Sequence, residues 1–473
     1  MRRSALLTAS GLLTLLGLPG LAGCQKHTEG ENFLIILSDD VGIDKTAAYG
    51  EHPTAPPTPA IDALAAEGLL FRNAYSCPTC TPSRAAILTG RLPSRTGLGR
   101  WLNPDQEENE LRLAELTIPE MLRHSATRYT SGLAGKWHLV GFLRDAPRLH
   151  PLEQGFEVVR GSLANLENSV YRPTGELGNF LWEKDTDGNL GWCREYSATD
   201  TTDEALDFIL EAKDPFFLLV SYNLAHVPVE VPPDPLNLAG VDDDSSELEK
   251  FHASVMALDA EIGRLMAGIP KEIRDNTTII YLSDNGTDRD WIEPPGDVNN
   301  GKATVMDSGV RVPFLVLGPH VRAPGTETTA LVHIADIYAT IAEIAGVDTT
   351  TLVGEEGESE GQTIAIDGVS FLGVLEQPGD PGLRQTVTTE GYYPNGVGTP
   401  EYHQRMIRDG EWKLRRFEEF GELSDLSLYH YDSSRFGEGP DLLTTELSPE
   451  ASEAYARLSA ELDAQIADMH YEF

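Results

Sequence analysis

Hydrophobic positions in this chain gather into short unbroken runs between polar stretches, the pattern of strands covered on both faces. Residues 31–38 form one such run, broken by Asp39-Asp40, and predict a strand that ends in two carboxylates. Thr58 as cap, Pro59 at the first helical position, the periodic Ile61, Leu64 and Ala65, and Gly68 as terminator predict a short helix. A strand is expected at 69–75, and further buried strands at 216–222, 277–283 and 312–317, with helical periodicity near 201–212, 246–266 and 331–345. Strands alternating with helices imply an α/β fold with a large, mostly parallel sheet flanked by helices. The Pro/Gly clusters at 52–59 and 292–301 are expected loops beside the strand ends, where open α/β sheets bind ligands. The acidic, Gly/Thr/Ser-rich stretch 346–361 reads as an exposed loop.

After Pro378-Gly379-Asp380-Pro381-Gly382 the pattern changes to short alternating segments at 385–390, 404–408, 411–417 and 428–432, which predict a small antiparallel sheet. Residues 449–469 predict a closing amphipathic helix, with Tyr455, Leu458, Leu462, Ile466 and Met469 on one face. The expected organisation is a large domain at 32–378 and a smaller C-terminal subdomain at 379–473.

Composition narrows the class of partner. Against 36 Lys and Arg stand 75 Asp and Glu, a formal net charge of -39. Such a surface excludes sequence-independent binding to nucleic acid phosphates and means that an anionic substrate needs a local cationic pocket. Arg2 and Arg3, an apolar stretch too short to span a bilayer, and small residues after it have the anatomy of a secretory signal. Leu21-Ala22-Gly23-Cys24 resembles a bacterial lipobox, which implies a signal at 1–23, a lipid on Cys24, a tether at 24–31 and an exported, membrane-anchored protein at the periplasmic or cell surface. With Cys24 lipidated, Cys77, Cys80 and Cys193 remain, an odd number that cannot all pair within one chain. Cys77-Pro78-Thr79-Cys80 has C-x-x-C spacing, for which a disulfide is the plain alternative to a redox motif, and Cys193 reads as an inert thiol.

Cys80-Thr81-Pro82-Ser83-Arg84 places a nucleophile-type residue just ahead of a Pro that can start a helix. Cys80 then sits at the positive end of that helix, with Arg84 one turn later on the same face, able to pair with an anion. Asp39-Asp40 and Ser283-Asp284-Asn285-Gly286 each follow an apolar run. Three carboxylates and an amide oxygen make a hard oxygen shell suited to Ca²⁺ or Mg²⁺. In Gly135-Lys136-Trp137-His138, read as strand-like, Lys136 and His138 point to one face.

Cys80-x-Pro82-Ser83-Arg84 followed by Leu88-Thr89-Gly90-Arg91 resembles the signature of the type I, formylglycine-dependent sulfatases, and the likeness extends over nearly the whole mature chain. It implies the alkaline-phosphatase-like sandwich with a smaller C-terminal subdomain. It also implies that Cys80 is converted to formylglycine by a formylglycine-generating enzyme, its hydrated aldehyde supplying the hydroxyl that attacks sulfur. By the same resemblance Asp39, Asp40, Asp284 and Asn285, with the side chain at position 80, hold a metal, calcium before magnesium. Arg84 helps hold the nucleophile, Lys136 contacts sulfate, His138 supports formylglycine and proton transfer, His226 contacts sulfate or the leaving oxygen, and Lys302 assists the leaving group. Family members often have Pro before that His where this chain has Ala225, and an acid that is often Glu is here Asp307, read as structural. Arg311 reads as packing, Ser162 and Asn165 compete for a polar substrate contact, and His27, His52, His124, His252 and His470 carry no motif.

The expected function is hydrolysis of a sulfate monoester of a carbohydrate or aryl alcohol. The alternatives are a phosphate or phosphonate monoester hydrolase of the same superfamily and a non-catalytic surface lipoprotein.

Overall fold

The computed structural model describes residues 30–103, 109–166, 180–354, 361–396, 398–431 and 438–468. The expected signal and tether up to residue 29, with Cys24 and His27, and also Asp432, Met469, His470 and part of the acidic stretch lie outside them. Ten strands form one sheet: β1 Asn32–Ser38, β2 Leu69–Tyr75, β3 Thr130–Gly135, β4 Val158–Gly161, β5 Trp182–Thr186, β6 Asn189–Cys193, β7 Phe216–Ser221, β8 Thr277–Ser283, β9 Phe314–Leu317 and β10 Thr326–His333. Their order is β10-β2-β9-β8-β1-β7-β3-β4-β5-β6. The centre, β8-β1-β7-β3-β4, is parallel; β9 and β5 run against it, and β6 turns back along it.

β1 is apolar throughout because both its faces are covered. Phe33, Ile35 and Leu37 pack in one core with α2 (Cys80–Thr89) and the helix Asp336–Ile344. Leu34 and Ile36 pack in the other with α1 (Pro59–Glu67) and the helices Ser197–Glu211 and Glu247–Gly268. Among the described residues, no helix is long and apolar enough to cross a membrane.

The expected strands at 69–75 and 277–283 and the helix after Thr58 are present as read, whereas the strand expected from 312 starts at Phe314. The helix expected at 331–345 is corrected: Leu331, Val332 and His333 belong to β10, and the helix begins at Asp336. Those residues pair in parallel with Asn73, Ala74 and Tyr75 of β2, and Asp336 accepts from the His333 N–H at 2.9 Å to turn the chain. Strand pairing here outweighs the helical spacing of the apolar residues. β3, β4 and the β5–β6 hairpin were not anticipated, although Asp187-Gly188, at φ 50° and 81°, is a sequence-visible hairpin turn.

A second sheet, β11 (Val387–Tyr393), β12 (Tyr402–Arg408), β13 (Trp412–Glu419) and β14 (Glu422–His430), is antiparallel in that order. The helix Pro449–Asp468 lays Leu458 and Leu462 on Ile407, Leu414 and Leu428. Buried Glu390 of β11 ties this sheet to the main body: it accepts from the Ser94 N–H at 2.8 Å, from His403 at 2.6 Å and from Arg405 at 3.3 Å. Burial opposes its ionisation, but His403, Arg405 and Ser94 together hold it down to about 2. Burial also holds His403 below its ordinary range, so the neutral imidazole donates and Arg405 carries the compensating charge.

Glu390→Gln is therefore expected to destabilise the protein at pH 7 by about 3 kcal/mol. Because the folded-state value is depressed, the carboxylate's contribution is complete above its ordinary 4.5 and disappears as pH falls towards about 2. Thermal melting across that window should show a smaller acid loss in the variant than in the parent.

Candidate active site

Four neighbouring parallel strands, β8, β1, β7 and β3, end on the same side of the sheet, and the chain leaves each one carrying a polar side chain. Asp39 and Asp40 follow β1, Asp284 and Asn285 follow β8, Lys136 follows β3, and His226 lies in the loop after β7. The crossing of β3 and β7 is tight: Gly135 has φ 100°, and a Cβ there would stand 1.9 Å from the Ser221 carbonyl, so only glycine fits.

α2 enters from the same side, with Cys80 as its first residue and all ten of its residues buried. Arg84 is 2% exposed. Its Nε and Nη2 donate to Asp284 Oδ2 at 3.2 and 2.9 Å, Nη2 also reaches Asp39 Oδ2 at 3.3 Å, and Nη1 donates to the Lys136 carbonyl at 3.0 Å and Ser221 Oγ at 2.5 Å. The guanidinium thus holds the carboxylates and strand ends together instead of standing open to an anion.

Lys136 Nζ donates to Asp39, and Lys302 Nζ lies 2.7 and 2.8 Å from the two carboxylate oxygens of Asp40. Asn285 donates to Asp40 Oδ1 at 2.7 Å. His226 Nε2 stands 3.8 Å from Asp40, while its Nδ1 sits 2.7 Å from the Val227 carbonyl, which places the proton on Nδ1. Lys136 and His138 lie past the end of β3, and His138 has φ 59°, so the strand-like alternation expected for them does not hold. His138 Nε2 is 3.1 Å from the Leu102 carbonyl, leaving its buried Nδ1 without a partner.

Burial is the largest influence on Asp39, Cys80, Arg84, His138, His226, Asp284 and Lys302. It pushes the Cys80 thiol up to about 12 despite Lys136 and Lys302, so an unmodified cysteine stays protonated at neutral pH. Burial opposes the charge on Asp39, yet Lys136, His226 and Arg84 hold that carboxyl well below the usual range. Burial and the facing Asp39 push Asp284 up to about 7. Burial disfavours the charge on Lys302, but Asp40 keeps it well above its ordinary value, and burial drives His138 well below its own.

Two buried oxygens, Asp39 Oδ1 and Asn285 Oδ1, have no hydrogen-bond partner. Ligand atoms of Asp39, Asp40, Cys80 and His226 lie within 4.8 Å of one another. Orphaned carboxylate and amide oxygens in one buried cluster fit a hard divalent cation. His226 belongs to this cluster although its sequence motif suggested a substrate contact, and Asp284 stands behind it with its oxygens engaged by Arg84 and the Asp40 N–H.

Supporting residues came from parts of the chain without a motif. Glu293 accepts from Lys45 at 2.8 Å, Thr54 at 2.8 Å and His252 at 3.1 Å, which pins the segment after Asp40 to the loop leading to Lys302. Ala303, next to Lys302, has φ 69°; its N–H donates to the Pro78 carbonyl at 2.8 Å and its carbonyl accepts from Gln404 at 2.7 Å. Asp307 is structural as expected, bound by Lys413 and Tyr431, and Arg311 packs against Glu51 and the Arg72 carbonyl. Ser162 is hydrogen-bonded to Asn223. Cys77, Cys80 and Cys193 are buried and free, so the C-x-x-C pair forms no disulfide.

The sequence profile of the Sulfatase family matches residues 31–347. Human N-acetylgalactosamine-6-sulfatase is 32% identical over 382 residues, covering 75% of this chain and 67% of that protein. Human arylsulfatase A is 30% identical over 456 residues, covering 90% of this chain and 82% of its own. The structure of Ps i-CgsB in complex with k-i-k-neocarrahexaose superposes with TM-score 0.72 at 23% identity over 94% of both chains, a likeness of fold. A structure of BT4656 with D-glucosamine-2-N,6-O-disulfate gives 0.65 at 19% identity over 93% of this chain and 98% of that one. With its two carboxylate-bearing strand ends closed over the start of α2, this chain belongs to the sulfatase family.

Proposed function

We propose that the protein hydrolyses a sulfate monoester of a carbohydrate or aryl alcohol and releases inorganic sulfate, using formylglycine at position 80 and a divalent cation, calcium before magnesium. The observation that carries this reading is the convergence of Arg84, Lys136 and Lys302 with Asp39, Asp40 and Asp284 around the first residue of α2. The elevated thiol of Cys80 supports conversion, since a protonated cysteine is a weak nucleophile. The orphaned oxygens of Asp39 and Asn285 support the cation, which Asp39, Asp40, Asp284, Asn285 and the side chain at position 80 would hold. Formylglycine supplies a hydroxyl for attack on sulfur, and the cation supplies charge for the sulfate oxygens.

The chain's own residues supply the rest. Lys136 and Lys302 face position 80 and are placed to bind sulfate oxygens and to stabilise charge on the leaving oxygen. His138, its Nε2–H engaged by Leu102, offers a bare Nδ1 able to accept a hydrogen bond from the side chain at position 80. His226 offers Nε2 on the Asp40 side. Relatives such as N-acetylgalactosamine-6-sulfatase, and structural neighbours in complex with k-i-k-neocarrahexaose and D-glucosamine-2-N,6-O-disulfate, support a sulfated glycan. Among the described residues, a single compact cluster with two lysines favours sulfate over the phosphate or phosphonate reading.

Protein matured beside a formylglycine-generating enzyme should show the peptide spanning position 80 lighter by about 18 Da, with an aldehyde that reacts with a hydrazide tag. It should turn over an aryl sulfate much faster than the matching aryl phosphate, and Cys80→Ala should abolish both. An intact thiol after exposure to a competent maturing enzyme would sink the catalytic reading and leave the non-catalytic lipoprotein in its place.

Chelation should remove activity and calcium should restore it. In calorimetric titration, Asn285→Ala is expected to weaken calcium binding by about tenfold or more, because the amide oxygen is one of few oxygens left open to a cation. Equal calcium affinity in the variant would remove Asn285 from the ligand set.

The lipobox supports an exported protein anchored through Cys24. Cys24→Ser should move the protein from the membrane fraction to the soluble one; retention in the membrane would refute the anchor.

A further inference from the structure

On a chain with a net charge of -39, a cation beside the site without a carboxylate partner needs a reason. Arg100 is such a cation. Among the described residues no acid forms an ion pair with it, and its buried Nε has no acceptor. Its guanidinium lies between two aromatic rings, 4.3 Å from the centroid of Trp101 and 4.6 Å from that of Tyr393. Contact with both rings restricts where the guanidinium can lie, and the side chain remains partly exposed. A fork held in this way is prepared for bidentate pairing with an oxyanion.

Its place is next to the reaction centre. Leu102, two residues on, accepts from His138 and donates its N–H to Thr81, the residue after Cys80, at 3.1 Å. On the other side, Tyr393 stacks on Tyr402 at 5.9 Å, and Tyr402 shares the face of β12 that carries Gln404, whose amide holds the residue after Lys302. Tyr402 also feels Arg289, an exposed residue whose Nε lies 3.3 Å from the Lys302 carbonyl. Arg100, Trp101, Tyr393, Tyr402 and Arg289 therefore form a rim of rings and cations between His138 and Lys302.

We propose that this rim is a second subsite, in which Arg100 pairs with a carboxylate or sulfate on the sugar adjoining the scissile ester while Trp101, 36% exposed, meets that sugar's apolar face. The subsite rests on the sulfatase reading and narrows it: the substrate is an oligosaccharide whose second sugar is itself anionic.

The test is calorimetric titration into the Cys80→Ser variant, so that binding is read without turnover. Three disaccharide probes share a sulfated terminal sugar; the second sugar is a uronic acid, carries a second sulfate, or is neutral. At least one anionic probe should bind about tenfold or more tighter than the neutral one. Adding Arg100→Gln should shrink that ratio to less than about threefold, and Arg100→Lys, which keeps the charge but not the fork, should keep part of it. The probe that gains most separates carboxylate from sulfate recognition. Equal binding of all three, binding of none, or a ratio that survives Arg100→Gln in protein with an unchanged melting midpoint would overturn the subsite. Failure of the sulfatase reading shows elsewhere, as matured wild-type enzyme that turns over no sulfate ester.

Discussion

The architecture of the site depends on one buried guanidinium. Arg84 is enclosed by Asp39, Asp284, Ser221 and the Lys136 carbonyl, so each of the four central strand ends contributes an acceptor to it or adjoins one. Removing one partner from such a cluster leaves a buried charge uncompensated, a cost of about 3 to 5 kcal/mol. That constraint explains why β8, β1, β7 and β3 must end in register, why Gly135 must lack a side chain, and why α2 must start where it does. It also leaves an electrostatic conflict. Asp39 and Asp284 face one another across a single arginine, and with burial this holds Asp284 at about 7 while Asp39 stays ionised. A divalent cation against the orphaned oxygens of Asp39 and Asn285 would relieve that conflict.

The parts legible in the sequence were those in which short-range pattern and chemistry coincide. β1 and β8 were visible because an apolar run stops abruptly at acids, and α2 because Pro82 and Arg84 stand at fixed helical offsets from Cys80. β3 was hidden by its small residues, Thr130-Ser131-Gly132, which fit a strand here only because Gly132 lies against Phe208. β10 was misread because its apolar residues also satisfy a helical spacing, and only the pairing partner 255 or more residues away decides between the two. Asp39, Asp40, Asp284, Asn285, Lys136 and Lys302, which the structure brings together, were readable as motifs. Glu293, Gln404 and Arg100 were not, since each acts through partners remote in the chain.

Charge distribution separates two requirements that the composition merges. A strongly acidic surface repels polyanions, and its range shrinks with salt. The site sets three cations, Arg84, Lys136 and Lys302, against three carboxylates, Asp39, Asp40 and Asp284, so that its charges act over a few ångströms without altering the long-range field.

The C-terminal sheet completes this arrangement. Lys302 stands on a loop whose next residue, Ala303, occupies a left-handed conformation that costs an alanine about 1 kcal/mol or more. The loop stays there because Pro78 accepts from its N–H, and Gln404 of β12 donates to its carbonyl and accepts from the Val305 N–H at 3.2 Å. Pro78 is two residues from Cys80, so one pair of hydrogen bonds couples the position of Lys302 to that of Cys80 and to the C-terminal sheet. The smaller sheet therefore helps to fix the loop that carries Lys302, and it is itself attached to the main body through Glu390 and Ser94.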